Sequence, residues 1–177
     1  ASLMIMTSVG HRTGLFETMA DMPPADTHAI ADAAGLNERY VREWLGAMAT
    51  GRMVEHDPVA DTYHLPAEHA MFLTSRGPMN LAATAQFFGM FGEVEAKVVD
   101  AFTHGRGVPY EAYARFHHVM ADESDQTTRN AMLDHILPLM PGLRQRLEAG
   151  IDVMDVGCGS GRAINLLART FPNSRFV

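Results

Sequence analysis

The stretch Ile151-Asp152-Val153-Met154-Asp155-Val156-Gly157-Cys158-Gly159-Ser160-Gly161 decides the fold of the chain's C-terminal end. Its first six residues read as a strand, the glycines as a loop, and the following residues, to about Phe171, as a helix. Pro172-Asn173 supplies a turn, and a second strand begins at Arg175. That order is the opening β-α-β portion of a doubly wound, Rossmann-like domain. Gly157, Gly159 and Gly161 permit a sharp strand-to-helix turn and let backbone approach a ligand with no Cβ in the way. The amides that open the helix favour a carboxylate or another acceptor. A dinucleotide fingerprint needs a small residue where Arg162 stands. Asp155, at the end of the strand, can accept a charge-assisted hydrogen bond from a donor such as the ammonium of an amino-acid ligand. On these residues alone, the loop holds such a ligand, another nucleotide-like one, or none.

Upstream, residues 79–149 have a helical pattern throughout. Phe87, Phe91, Val94, Val98 and Phe102 form a stripe at three- and four-residue steps, broken by the loop His104–Pro109. A helix over about Tyr110–Ala121 puts Tyr113, Phe116, His117 and Met120 on one side. Ser124 is expected to cap a helix carrying Met132, Leu133, Ile136 and Leu137. Pro138 and Pro141 interrupt that helix, and Pro141 suits the first turn of a last short helix ending at Gly150.

Residues 1–78 read as helix (Leu3–Val9), turn (His11–Thr13), helix (Gly14–Ala20), helix (Ala29–Ala34) and helix (to about Thr50). Asp26 or Thr27 caps the third helix, Gly35 ends it, and Asn37 and Gly51 bracket the fourth. The fourth helix is expected to bury Tyr40, Val41, Trp44, Leu45 and Met48. Arg52–His56 and Thr62–Leu65 then flank the turn Asp57–Asp61, which completes a winged helix-turn-helix order. The chain is thus read as mainly α: a winged helix (1–78), a helical linker (79–149), and the start of a Rossmann-like domain (150–177).

The formal charge of −7 over 177 residues, with 47% hydrophobic residues, argues against general affinity for nucleic acid or anionic membrane. No apolar run reaches the roughly 18–20 residues that a bilayer demands, and the start lacks the basic flank of a secretory signal. The single cysteine, Cys158, rules out an internal disulfide and fits a reducing, cytoplasmic setting. Thirteen methionines suit an adaptable interior or a loose ligand pocket. No Cys/His/carboxylate spacing suggests a metal site.

DVGCGSG after IDVM resembles motif I of class I S-adenosylmethionine-dependent methyltransferases. GHRTGLFE (Gly10–Glu17), GLNERYVREWLGAM (Gly35–Met48) and GVPYEAYARFHHVMADES (Gly107–Ser124) resemble segments of a bacterial subgroup with an N-terminal winged helix and a helical linker. The resemblance implies an S-adenosylmethionine cofactor, with Asp155, Gly157, Cys158, Gly159 and Gly161 around its amino-acid portion and Phe116 and Met120 beside it. It implies a small-molecule acceptor and a homodimer formed through the N-terminal helices. A general base is required only when the acceptor must shed a proton, and His117 ranks before His118 and His104 because of its helix face. Cys158 is read as a small loop residue rather than a nucleophile. Such folds carry an acidic residue about 20 positions after the loop for the ribose hydroxyls. The chain ends on Val177 with no acid from Arg162 onward. It is therefore expected to be part of a longer polypeptide or to pair with another copy, to leave Ile164, Leu166, Leu167 and Phe176 bare, and not to transfer methyl groups alone.

Two further classes stay open. Winged helices read DNA, but His11–Pro66 carries four arginines against nine acids, and the HDPVAD hairpin is acidic. A non-catalytic dimeric scaffold would use the apolar first helix and the Phe87–Phe102 stripe.

Overall fold

A computed structural model describes residues 2–77, 79–125 and 131–177. The boundary at Pro78, and the start of the helix expected after Ser124, lie outside these residues. The chain divides into two compact units, residues 1–116 and 117–177, so the helical middle segment is shared between them.

In the first unit, α1 (Ser2–Thr13) and α2 (Leu15–Ala20) meet at Gly14, whose φ of 75° breaks the helix. The expected turn at His11–Thr13 is instead the last turn of α1, where the Thr13 hydroxyl donates to the Val9 carbonyl at 2.8 Å. In α3 (Thr27–Ala34), Asp26 caps the start by accepting from the Ala29 amide at 2.8 Å, and Gly35 ends the helix. Asn37 caps α4 (Glu38–Thr50) by accepting from the Arg39 amide at 3.1 Å.

Val41, Trp44, Leu45 and Met48 of α4 are buried, whereas Tyr40 is 77% exposed. At 100° per residue Tyr40 falls about a quarter turn from the centre of that stripe, too far to reach the core. Trp44 is the hub: its indole N–H donates to the Met6 carbonyl at 2.8 Å, and its ring meets Phe16 edge-on with centroids 5.0 Å apart. α1 comes so close that a Cβ on Gly10 would lie 2.4 Å from the Trp44 ring.

β1 (Glu55–Asp57) and β2 (Thr62–His64) form an antiparallel hairpin with His56 opposite Tyr63. Tyr63 also bridges to Ala25, which binds the hairpin to the segment before α3. α5 (Ala67–Leu73), α6 (Leu81–Thr84) and α7 (Gln86–His104) complete most of the unit. Of the stripe read along α7, only Val94 is buried, and the inward line is Gln86, Met90 and Val94. Phe91 and Phe102 are exposed, Phe102 by 89%. A short 3₁₀ turn, Tyr110–Ala112, precedes α8 (Phe116–Ser124), so Tyr113 lies between the two and not on a continuous helix.

The second unit takes in α8 from His117 onward. Ser124 is the last residue of α8, and the start of the helix it is expected to cap lies outside the described residues. Met132–Ile136 is a π turn and Leu137–Leu139 a 3₁₀ turn holding Pro138, whose ring and missing N–H are incompatible with a continuing helix. Pro141 stands outside α9 (Leu143–Ala149), because Gly142 at φ 78° intervenes. β3 (Asp152–Val153) and β4 (Arg175–Phe176) pair in parallel, Asp152 with Arg175 and Val153 with Phe176. Between them runs α10 (Arg162–Thr170). Leu167 and Phe176 pack against the buried cluster Leu137, Leu147 and Phe171. Ile164, Leu166, Leu167 and Phe176 are half-buried, not bare, whereas Met154, Val156 and Val177 are exposed, as are Ile136, Leu139 and Met140.

Candidate functional site

The loop between β3 and α10 is built as the glycine spacing requires. Gly157, Gly159 and Gly161 have φ of 85°, 56° and 71°, conformations that other residues enter only with strain. A Cβ on Gly157 or Gly159 would meet nothing within 4 Å, so the turn is open along that side. Upstream, the loop is held by the strand pair: the Asp155 amide donates to the Val177 carbonyl at 3.0 Å, and the Val177 amide to the Val153 carbonyl at 3.0 Å. At its downstream end the Gly161 amide donates to the Cys158 carbonyl at 2.9 Å. The Gly161 carbonyl then accepts from the Asn165 amide at 2.9 Å and from its side chain at 2.8 Å. No side chain caps α10, so the amides of its first turn have no side-chain acceptor from a cap residue.

Asp155, Gly157, Cys158 and Gly159 are all exposed, and Gly161 is half-buried. The fold thus collects the expected loop residues into one accessible turn next to a carboxylate. His117 and Met120 stand on α8 in the same unit, His117 exposed and Met120 half-buried, while Val119 and Ala121 form the buried side of that helix. His118 lies 3.5 Å from Asp122. Phe116 closes the first unit, where its ring packs edge-on against Tyr110 at 5.0 Å and Tyr113 at 6.4 Å. His104 bonds within α7 to the Asp100 carboxylate at 2.9 Å.

The residue that sequence reasoning undervalued is Arg162. By sequence it is notable only as too large for a dinucleotide turn. In the structure its guanidinium donates to the Ala121 carbonyl at 3.3 Å, to Asp122 at 3.4 Å, and to Asp125. The signal was available as a cation at the loop's exit and an acidic run at the end of α8, but spacing alone does not bring the two together.

In the winged helix, the arginines of α4 are each engaged on their own helix, Arg39 with Glu43 at 3.0 Å and Arg42 with Glu38 at 3.3 Å. The hairpin tip is organised by Asp57, whose carboxylate accepts from the amides of Val59 (2.8 Å) and Ala60 (3.1 Å). Those two hydrogen bonds, Ala60 first and then Val59, hold its pKa below the ordinary 3.8, with His56 adding a smaller pull. Among the described residues no group of three or more His, Cys, Asp or Glu could hold a metal ion, and no helix is long and apolar enough to cross a membrane.

Comparison with known proteins agrees with this architecture. Residues 1–75 match the model of the Rv2258c-like winged HTH domain. No curated protein matches the chain in sequence. Among solved structures, the chain is similar to human N-acetylserotonin methyltransferase in complex with SAM, at TM-score 0.62 and 16% identity over 99% of this chain and 54% of that one. CalO1, a methyltransferase in calicheamicin biosynthesis in its SAH-bound form, gives 0.58 and 18% over 99% and 54%. Mitomycin 7-O-methyltransferase MmcR gives 0.56 and 18% over 99% and 53%. The chain therefore carries a winged HTH domain of the Rv2258c-like type and has, over nearly its whole length, the fold found in these methyltransferases. It spans about half the length of each of them.

Proposed function

We propose that the protein binds S-adenosylmethionine at the Gly157–Gly161 turn and serves methyl transfer to a small-molecule acceptor. The observation that carries this reading is the open turn itself: three left-handed glycines, an uncapped helix start and an exposed Asp155 carboxylate within a few residues. A ligand bearing both an ammonium and a carboxylate matches that pair of features, the ammonium on Asp155 and the carboxylate on the helix amides. The human and calicheamicin-pathway relatives, crystallised with SAM and SAH, support the choice of ligand.

In this reading Asp155, Gly157, Cys158, Gly159 and Gly161 hold the amino-acid end, and Met120 on α8 offers an apolar, polarisable contact. When bound, the sulfonium donor supplies a methyl carbon that is already electrophilic. The protein's own work is then to align an acceptor with it and keep water out. For a hydroxyl acceptor, His117 is the group we assign to take the proton.

We read the winged helix as a pairing and covering module rather than a DNA reader. Support comes from the arginines of α4, both occupied by glutamates, and from the acidic hairpin. Exposed Ile5 and Val9 on α1, with Phe88, Phe91, Val99 and Phe102 on α7, support pairing of two copies.

Calorimetric titration with S-adenosylmethionine tests the ligand. Binding is expected, and Asp155→Asn should weaken it by about ten- to a hundredfold, the worth of a hydrogen bond to a charged group. Gly159→Val should abolish binding, because φ at that position is 56°. Affinity unchanged in both variants would sink the proposal.

A further inference from the structure

The glycine loop is anchored unequally. Its upstream end hangs from the β3–β4 hydrogen bonds, while the loop itself contains three glycines in five residues and has open space beside Gly157 and Gly159. Glycine backbone loses more freedom on being fixed than any other, so a turn of this composition binds well only when something else pre-orders it. At the downstream end that something is Arg162, the first residue of α10. A cation in the first turn of a helix opposes the helix dipole, so its position is not explained by the helix. It is explained by the end of α8, where the Ala121 carbonyl and the half-buried carboxylates of Asp122 and Asp125 receive the guanidinium. His118 faces the same Asp122 at 3.5 Å. A planar guanidinium can reach all three oxygens at once, which a point-charge ammonium cannot do equally well.

We propose that Arg162 is a positioning residue: by tying the entry of α10 to the end of α8, it pre-orders the glycine loop for the ligand's amino-acid end. The inference rests on the methyl-donor reading of that loop and gives Arg162 a role through its protein partners. It also joins α8, which carries His117 and Met120, to the loop through one side chain.

The test uses the whole protein, as wild type and as Arg162→Ala, Arg162→Lys and Asp125→Asn, with two readouts. Hydrogen exchange of the ligand-free protein reports the order of residues 156–163, and calorimetry with S-adenosylhomocysteine reports affinity. Arg162→Ala should speed exchange in that segment while the β1–β2 hairpin is unchanged, and should weaken binding by about tenfold. Arg162→Lys should recover part of both effects, and Asp125→Asn should resemble a milder Arg162→Ala. Unaltered exchange around the loop in Arg162→Ala overturns the anchor, as does wild-type affinity in that variant. If the wild-type protein binds no S-adenosylhomocysteine, the methyl-donor reading falls instead, and the exchange measurement still decides whether Arg162 orders the turn.

Discussion

The Trp44 indole donates to the Met6 carbonyl at 2.8 Å, joining α4 to α1 at the point where Gly10 leaves room for the ring. A polar atom of the largest core side chain is thereby satisfied by a helix that has itself given up a side chain to approach. Gly10→Ala should destabilise the protein by about 1–3 kcal/mol through overpacking, because the buried ring has no free end to swing away. Trp44→Phe removes the donor and should cost on the order of 1 kcal/mol or more, leaving the Met6 carbonyl only its partner within the helix. Denaturant midpoints check both, and a neutral Gly10→Ala would show that α1 can shift outward.

The hairpin tip should respond to acid through Asp57. Its pKa in the folded state is depressed, so its stabilising effect is present above the ordinary value of 3.8 and disappears as pH falls through the lower folded value. An NMR titration of the Asp57 carboxyl carbon should give a midpoint below 3.8, with the Val59 and Ala60 amide shifts following it. A midpoint at or above that value would mean that these amides do not bind the carboxylate in solution.

Phe102 is exposed enough that polar replacement should leave folding nearly untouched, within about 0.5 kcal/mol. Under the pairing proposal, however, Phe91→Ser combined with Phe102→Ser should move the sedimentation coefficient toward that of a single copy. Identical sedimentation of variant and parent would remove α7 from any interface between copies.

His117→Ala separates proton removal from ligand binding. With a hydroxyl acceptor, kcat should fall by about 10²–10⁴-fold while affinity for S-adenosylhomocysteine stays the same. A variant that keeps its rate would transfer the role to another group or show that the acceptor needs no base.

Local signals in the sequence are legible where one residue type has one physical use. Asp26 and Asn37 cap α3 and α4, and the three loop glycines take left-handed φ, because caps and left-handed turns are chosen by chemistry within a few residues. What periodicity does not decide is which of two lines faces inward. Along α7 the aromatic line is conspicuous, but the line of Gln86, Met90 and Val94, which shares only Val94 with it, is the one that packs. Tyr40 misled in the same way, as an amphipathic residue at the margin of a stripe. Around the candidate site, the loop was legible because it is contiguous. The partners of Arg162 were not, since they sit about 40 positions away and only the fold brings them near.

Cys158 is the chain's sole thiol, and it lies exposed in the middle of the glycine turn. An alkylating reagent would therefore mark one spot, and that spot is the turn proposed to hold the ligand. The speed of modification becomes a direct optical gauge of occupancy, slowing when a ligand shields the turn, and a dye attached there would watch the loop without further engineering.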